Sequence, residues 1–140
     1  MVLLFVLICF FNSTKAQVFF QTIELDSSIS LAKNNHRLLL VDFRADWCKP
    51  CLEMEQTTFK DSLLGTYVND RFIAIKVDVD DSIGRILAQQ YSVSEYPTIL
   101  TINPLDRKIL LRIIGFKPAR ILIGDLKMLE RYLPAETKKN

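Results

Sequence analysis

The segment from Val41 to Cys51, VDFRADWCKPC, places two cysteines three residues apart directly after an apolar run. The run carries a single acid, Asp42, and Pro50 lies between Cys48 and Cys51. A disulfide that closes so small a loop removes little entropy from the unfolded chain, so it contributes little to stability. The pair is therefore better explained as a bond that opens and closes than as a structural staple.

The pattern around this segment predicts one α/β domain. At 140 residues the chain is long enough for a single domain with its own core. Apolar runs of strand length and segments of helical periodicity follow each other in the order βαβ and then ββα, which indicates a mixed sheet with helices on both faces. The pattern predicts strands at residues 38–43, 72–77, 98–102 and 109–114, and helices beginning near residues 26, 48, 61, 81 and 118.

Several side chains are expected to cap these helices or to form their buried faces. Residues 26–28, Asp-Ser-Ser, offer N-caps for the first helix, and Asp81 offers one for the fourth. Helical spacing predicts three buried stripes. They are Cys51, Met54, Thr58 and Phe59 after the cysteine motif; Ile83, Ile86, Leu87 and Tyr91 in the fourth helix; and Leu122, Leu126, Leu129 and Leu133 in the last.

The N-terminus has the pattern of a signal peptide. Residues 2–11 are uninterrupted apolar residues, too few to span a bilayer, and a short polar stretch then ends at Ala16. We therefore expect residues 1–16 to be a signal peptide, residues 17–140 to be the mature domain, and the protein to be periplasmic or secreted. No Lys or Arg precedes the apolar run, so an uncleaved N-terminal anchor is the alternative.

Composition excludes several kinds of site. Eighteen basic residues nearly balance sixteen acidic ones without a long basic block, so no nucleic acid is expected as a partner. Cys9 lies in the expected leader, which leaves the mature chain two cysteines and one histidine, His36, where structural zinc needs four ligands. The acids at positions 78, 80 and 81 lack the glycine and terminal glutamate of a calcium loop, so a helix cap and a solvated loop are expected.

The position of the two cysteines suggests how they divide the chemistry. Cys48 is expected at the N-terminus of a helix, where free N–H groups and the helix dipole favour a thiolate. Pro50 is tolerated in the first turn, whose N–H groups have no partner in the helix. Cys51, one turn further in, should be the more buried sulfur. We therefore expect Cys48 to attack a partner disulfide and Cys51 to resolve the mixed disulfide.

Four landmarks in the expected order resemble the thioredoxin family. They are VDFRADWCKPC (41–51), IKVDVDD (75–81), YPT (96–98) and Gly115. The resemblance covers residues 25–133. Within the superfamily, ADWCKPCLEMEQTTF (45–59) is similar to the C-terminal periplasmic domain of the DsbD-type thiol:disulfide interchange proteins.

The resemblance implies roles for four further residues, and the position of a fifth, Trp47, next to the expected nucleophile indicates another. Asp42 matches a buried acid that accepts the proton of the resolving cysteine, which agrees with the raised pKa expected of one carboxyl in an apolar strand. Lys76 matches the lysine beside that acid. Pro97 matches a cis-proline that, with the backbone of Tyr96, holds an extended substrate segment. Trp47 is expected on the active-site surface, where it contacts substrate.

The expected function is that of an exported thiol:disulfide oxidoreductase. It would reduce disulfides in exported proteins as a monomer, be recharged by a membrane-bound electron donor, and need neither metal nor organic cofactor. Arg44 replaces an aromatic residue of the family and Lys49 a glycine. These departures leave an oxidising or isomerising activity open. A binding or chaperone module with an idle dithiol is the alternative from a different class.

Overall fold

A computed structural model describes residues 16–22 and 24–132, without the side chain of Tyr132. Apart from Ala16, the expected signal peptide with Cys9 lies outside the described residues, as does Leu133. The elements are β1 (Phe20–Gln21), α1 (Leu25–Asn34), β2 (Leu38–Arg44), α2 (Lys49–Gln56), a 3-10 turn (Thr58–Lys60), α3 (Ser62–Arg71), β3 (Phe72–Asp78), α4 (Ser82–Gln90), β4 (Thr98–Ile102), β5 (Ile109–Ile114) and α5 (Ala119–Tyr132). The four predicted strands and five predicted helices are confirmed, whereas β1 was not predicted.

The strands form one mixed sheet in the order β1-β3-β2-β4-β5. The first three of these run parallel, and β4 and β5 are antiparallel to their neighbours. The two central strands pair over their full length, from Leu38 opposite Phe72 to Arg44 opposite Asp78. All seven residues of β2 are buried, as expected of a strand in the middle of a sheet covered on both faces.

Each face of the sheet packs on its own group of helices. On one face, Leu39, Val41 and Phe43 of β2 pack with residues of α1 and α4. On the other face, Leu38 and Leu40 pack with residues of α2, α3 and α5. This alternation follows from the two-residue period of a strand. The predicted α/β architecture with helices on both faces is confirmed.

Aspartate side chains cap the N-termini of two helices, α3 and α4. Asp61 Oδ1 accepts hydrogen bonds from the N–H groups of Leu63 and Leu64, at 3.0 and 2.9 Å. Asp81 Oδ1 accepts one from the N–H of Gly84. These bonds satisfy N–H groups that have no partner inside a helix.

The first helix begins earlier than its cap pattern predicted. Its N-cap is Glu24, which makes no side-chain capping hydrogen bond, and residues 26–28 lie inside the first turn. The Ser28 hydroxyl donates back to the carbonyl of Glu24. The predicted cap was therefore wrong, because serine in the first turn can bond the preceding carbonyl instead of an N–H ahead of it.

The predicted stripe of α4 was also wrong in part. Ile83 and Ile86 are 58% and 63% exposed, while Gly84, Ala88 and Tyr91 are buried. A Cβ at Gly84 would lie 1.7 Å from the carbonyl oxygen of Asp78, so this side of the helix approaches the end of β3 closely. A pattern of large apolar residues misses an inward face that includes glycine, which explains the error.

The other two stripes agree better with the structure. In α5, Leu122 and Leu126 are fully buried and Leu129 is half-buried. Cys51, Met54, Thr58 and Phe59 are all buried, but α2 ends at Gln56 and they do not share one face. Cys51 packs in the cluster with α1 and α4, whereas Met54 and Phe59 pack in the opposite one. Within residues 16–22 and 24–132, no helix has the length and apolar character that crossing a bilayer requires.

Candidate active site

The two cysteines lie where the loop after β2 enters α2. Cys48 is the N-cap residue of α2, and Pro50 lies in its first turn. The two sulfurs form a disulfide, with the Cα atoms 5.3 Å apart. The N–H of Cys51 donates a hydrogen bond to Sγ of Cys48 at 3.3 Å. The predicted position of Cys48 at a helix N-terminus is therefore confirmed.

The two cysteines differ less in burial than expected. Cys48 is 4% exposed and Cys51 is 2% exposed, so the sulfur expected to be the nucleophile is not on the surface in the disulfide-bonded form. Both side chains belong to the cluster with α1 and α4, against which Tyr96 also packs. The order of burial agrees with the expectation, but the difference is too small to assign the roles of the two sulfurs.

Asp42 is a buried acid, as the sequence indicated. It lies in the middle of β2, is 2% exposed, and its Oδ1 has no hydrogen-bond partner among the residues that the structure describes. Burial raises the pKa of Asp42 to about 7, the positive charges of Lys76 and Arg44 lower it, and the carboxylate of Glu55 raises it. An acid with this pKa can both take up and release a proton near neutral pH.

Lys76 is the neighbour of Asp42 across the central strand pair. The two residues are partners in the parallel register of β2 and β3. Lys76 is the exposed position of β3, and its ammonium group forms an ion pair with Glu55 of α2. It also lies over the ring of Phe20, 4.8 Å from the centroid. The neighbour relation that the resemblance implied is confirmed, and its part in proton transfer remains a prediction.

Trp47 and Tyr96 form the exposed surface beside the cysteines. Trp47 is 66% exposed, its indole N–H donates to Oδ1 of Asp80 at 3.0 Å, and its ring lies 6.0 Å from that of Tyr96. The Tyr96–Pro97 peptide bond is cis, and the Pro97 carbonyl accepts a hydrogen bond from the N–H of Gly115. These positions match the expected ones, while substrate binding by the three residues remains a prediction.

The sequence did not single out the charged network beside Asp42. Arg44, the residue two positions after Asp42, is almost fully buried and contacts carboxylates of Asp46, Glu55 and Asp78. One signal was present in the sequence, since an arginine in an apolar run is costly to bury unless acids surround it. The acids that do so come from three separate parts of the chain.

The remaining candidates occupy loops and caps. The N–H of Asp80 donates to Oδ1 of Asp78 at 2.9 Å, and Asp81 caps α4, which confirms the cap and loop interpretation of these acids. Nowhere in 16–22 or 24–132 do three or more His, Cys, Asp or Glu residues form a group that could hold a metal ion. His36 is exposed, in the turn between α1 and β2.

Comparison with known proteins agrees with this geometry. The family model of the thioredoxin-like domain matches residues 25–129. The thiol:disulfide interchange protein DsbD of Haemophilus influenzae is 31% identical over 124 residues, which are 84% of this chain and 21% of that protein. DsbD of Ralstonia nicotianae is 28% identical over 106 residues, which are 74% of this chain and 17% of that protein. The chain thus spans about a fifth of the length of these relatives.

A solved structure supports the fold independently. The oxidised C-terminal domain of DsbD from Neisseria meningitidis superposes with a TM-score of 0.63 at 24% identity, covering 79% of this chain and 97% of that one. At this identity the likeness shows the fold alone. Together with the match of the family model over most of the described residues, it leads to one conclusion. The chain belongs to the thioredoxin-like family.

Proposed function

We propose that the protein is exported and reduces disulfides in extracytoplasmic proteins through the Cys48–Cys51 dithiol. The observation that carries the proposal is the cysteine pair at the first turn of α2. There the Cys51 N–H already donates to the Cys48 sulfur, an arrangement that stabilises negative charge on this sulfur once the disulfide is reduced. Cys48 is therefore the nucleophile.

The reaction transfers two electrons in two exchanges. The Cys48 thiolate attacks one sulfur of a partner disulfide, an S–S bond forms between the two proteins, and the other partner sulfur leaves as a thiolate that takes up a proton. Cys51 then loses its proton to Asp42 through a bridging water and attacks the Cys48 sulfur. The intramolecular disulfide forms, and the second partner sulfur leaves as a thiolate that takes up a proton from the solvent. The partner is reduced and the protein is oxidised.

The surface around the pair supports the binding of an extended protein segment. Trp47 is exposed and Tyr96 is half-buried beside it, so their rings can contact a partner without a large rearrangement. We assign both residues and Pro97 to substrate binding. A membrane-bound dithiol donor returns two electrons to the Cys48–Cys51 disulfide.

The relatives support disulfide exchange as the chemistry of this proposal, and the sequence supports export. The DsbD proteins are thiol:disulfide interchange proteins, which agrees with protein dithiols and disulfides as partners on both sides of the exchange. The apolar segment at residues 2–11 supports export. The domain has the residues needed for disulfide exchange without a metal or organic cofactor, since the dithiol itself carries the electrons.

The equilibrium redox potential of the Cys48–Cys51 pair tests the proposal. The pair is trapped with an alkylating reagent after equilibration in glutathione or dithiothreitol buffers, with Cys48→Ser as the control that cannot form the bond. A potential near about −270 mV supports a reductase, and one between about −180 and −120 mV indicates an isomerase or oxidant. If the pair does not titrate reversibly, the catalytic proposal is wrong and the domain acts as a binding module.

A further inference from the structure

Arg44 is an unusual residue for the centre of this sheet. It ends β2, and its side chain is only 10% exposed. Because side chains alternate along a strand, Arg44 projects to the same face as Asp42, the face covered by α2, α3 and α5. A buried guanidinium is costly unless it is surrounded by acceptors, so its contacts indicate what it holds in place.

The guanidinium group joins three parts of the chain around the cysteine loop. Nη1 lies 2.8 Å from Asp46 Oδ1 in the loop and 3.7 Å from Asp78 Oδ2 at the end of β3. Nη2 lies 3.9 Å from Glu55 Oε2 in α2. Burial lowers the pKa of Arg44, but the hydrogen bond with Asp46 and the charges of Glu55 and Asp78 raise it by more. The group therefore stays positively charged.

Glu55 is held between two cations. Lys76 contacts its Oε1 and Arg44 contacts its Oε2, so each carboxylate oxygen has a different partner on a different strand. Lys76 is also the register partner of Asp42. The Asp42 carboxyl thus lies beside a compact group of one carboxylate, Glu55, and two cations, Lys76 and Arg44. The net charge of this group is positive, and it becomes zero if Arg44 is removed.

We propose that Arg44 is a positioning residue that fixes Glu55 and Lys76 beside Asp42 and so sets the pH at which Cys51 resolves the mixed disulfide. The inference rests on the proposed dithiol exchange, in which Asp42 takes the proton of Cys51. In this inference, Arg44 controls proton transfer to Asp42 from the same strand, β2.

The charges that face Asp42 act in opposite directions. From β2 and β3, Arg44 and Lys76 favour the ionised carboxylate, and from α2, Glu55 opposes it. Asp46 and Asp78 form ion pairs with Arg44 and hold it in place. Loss of Arg44 should therefore make Asp42 hold its proton to higher pH, and loss of the Glu55 charge should make it release the proton at lower pH.

The two steps of the exchange can be followed separately with dithiobis(nitrobenzoate). Attack by Cys48 on this disulfide releases one coloured thiolate, and resolution by Cys51 releases a second one. The rate of each phase is measured against pH in the reduced full-length protein and in the variants Arg44→Gln, Arg44→Lys and Glu55→Gln. Arg71→Gln is the matched control, since Arg71 forms ion pairs with surface acids of α3 and α5 in the described part of the chain.

The expected signature is a pair of opposite shifts in the second phase. Its pH midpoint should rise by roughly one unit in Arg44→Gln, the scale of effect that one neighbouring charge has on a carboxyl, and should fall in Glu55→Gln. Arg44→Lys should restore most of the wild-type midpoint, and Arg71→Gln should leave it unchanged. If Arg44 and Glu55 acted in folding alone, Arg44→Gln and Glu55→Gln would not shift the pH midpoint of the second phase in opposite directions.

Several results would overturn the inference. An unchanged midpoint in Arg44→Gln contradicts it, as does a shift of the same sign in Arg44→Gln and Glu55→Gln. If Arg44→Gln does not fold, a Glu55→Gln midpoint equal to that of the wild type contradicts it as well. If the wild-type protein shows no second phase, the exchange itself is refuted. That outcome differs from a normal second phase whose pH midpoint is the same in Arg44→Gln as in the wild type.

Discussion

Replacing Asp42 with asparagine should make the oxidised protein progressively more stable than the wild type as the pH rises. The pKa of Asp42 is about 7 in the folded protein, against 3.8 for an ordinary aspartate in the unfolded chain. Between these values the folded state binds more protons than the unfolded state, so wild-type stability falls as the pH rises through this window. Asparagine does not titrate, so the variant lacks this loss.

The size of the effect follows from the two pKa values. One pKa unit corresponds to about 1.4 kcal/mol, so the complete loss across the window is about 4 kcal/mol, to order of magnitude. Between about pH 4.5 and about pH 8.5 the stability difference between variant and wild type should grow by roughly 3 kcal/mol. A buried amide without good partners adds a cost of about 1–3 kcal/mol that does not depend on pH, so the change with pH is the quantity to compare.

Urea unfolding of both oxidised proteins at a series of pH values measures this difference. Asp70→Asn is the matched control, because Asp70 is an exposed acid paired with Arg71 on the surface. Its pH dependence should follow that of the wild type. A stability difference between Asp42→Asn and the wild type that stays constant across the series would show that Asp42 is ionised at neutral pH, and the proposed proton transfer from Cys51 would lose its support.

Three further predictions concern the dithiol, the core and the exposed side of α4. Cys51→Ser should accumulate a mixed disulfide with protein partners, visible on a non-reducing gel, since Cys48 can attack but nothing can resolve the bond; a Cys48→Ser variant that accumulates as much would contradict the assigned roles. Leu122→Ala should lower the free energy of unfolding by about 2–5 kcal/mol, because Leu122 is fully buried. Ile86→Ala should change it by no more than about 0.5 kcal/mol, and a larger loss would mean that α4 buries Ile86 after all.

The sequence predicted the elements of the fold well where apolar runs are long. The two central strands and the hairpin of β4 and β5 are mostly apolar segments of strand length, and such segments have few alternatives to a buried strand. By contrast, β1 consists only of Phe20 and Gln21 and exists through its pairing with β3. A strand of two residues has no periodicity to detect. Ile83 and Ile86 of α4 were wrongly predicted to be buried, because Gly84 lies where the helix approaches the end of β3 closely.

The candidate site was predictable in its chemistry and less so in its electrostatics. The cysteine spacing led to Cys48 and Cys51 from the residues themselves, and the single acid in an apolar run singled out Asp42, whose role came from the resemblance. Lys76 and Pro97 came from the resemblance, since a register partner and a cis bond cannot be deduced from local sequence. The ion pairs of Arg44 depend on which strands and helices become neighbours, so only the fold reveals them.

The register of β2 constrains how this protein can change in evolution. Asp42 and Arg44 face α2 only because one residue separates them, and Val41 and Phe43 face the opposite core for the same reason. Inserting or deleting one residue between the acid and the arginine would turn one of the two charges into the apolar cluster beneath α1 and α4, where an unpaired charge costs several kcal/mol. The number of residues between these two positions is therefore fixed.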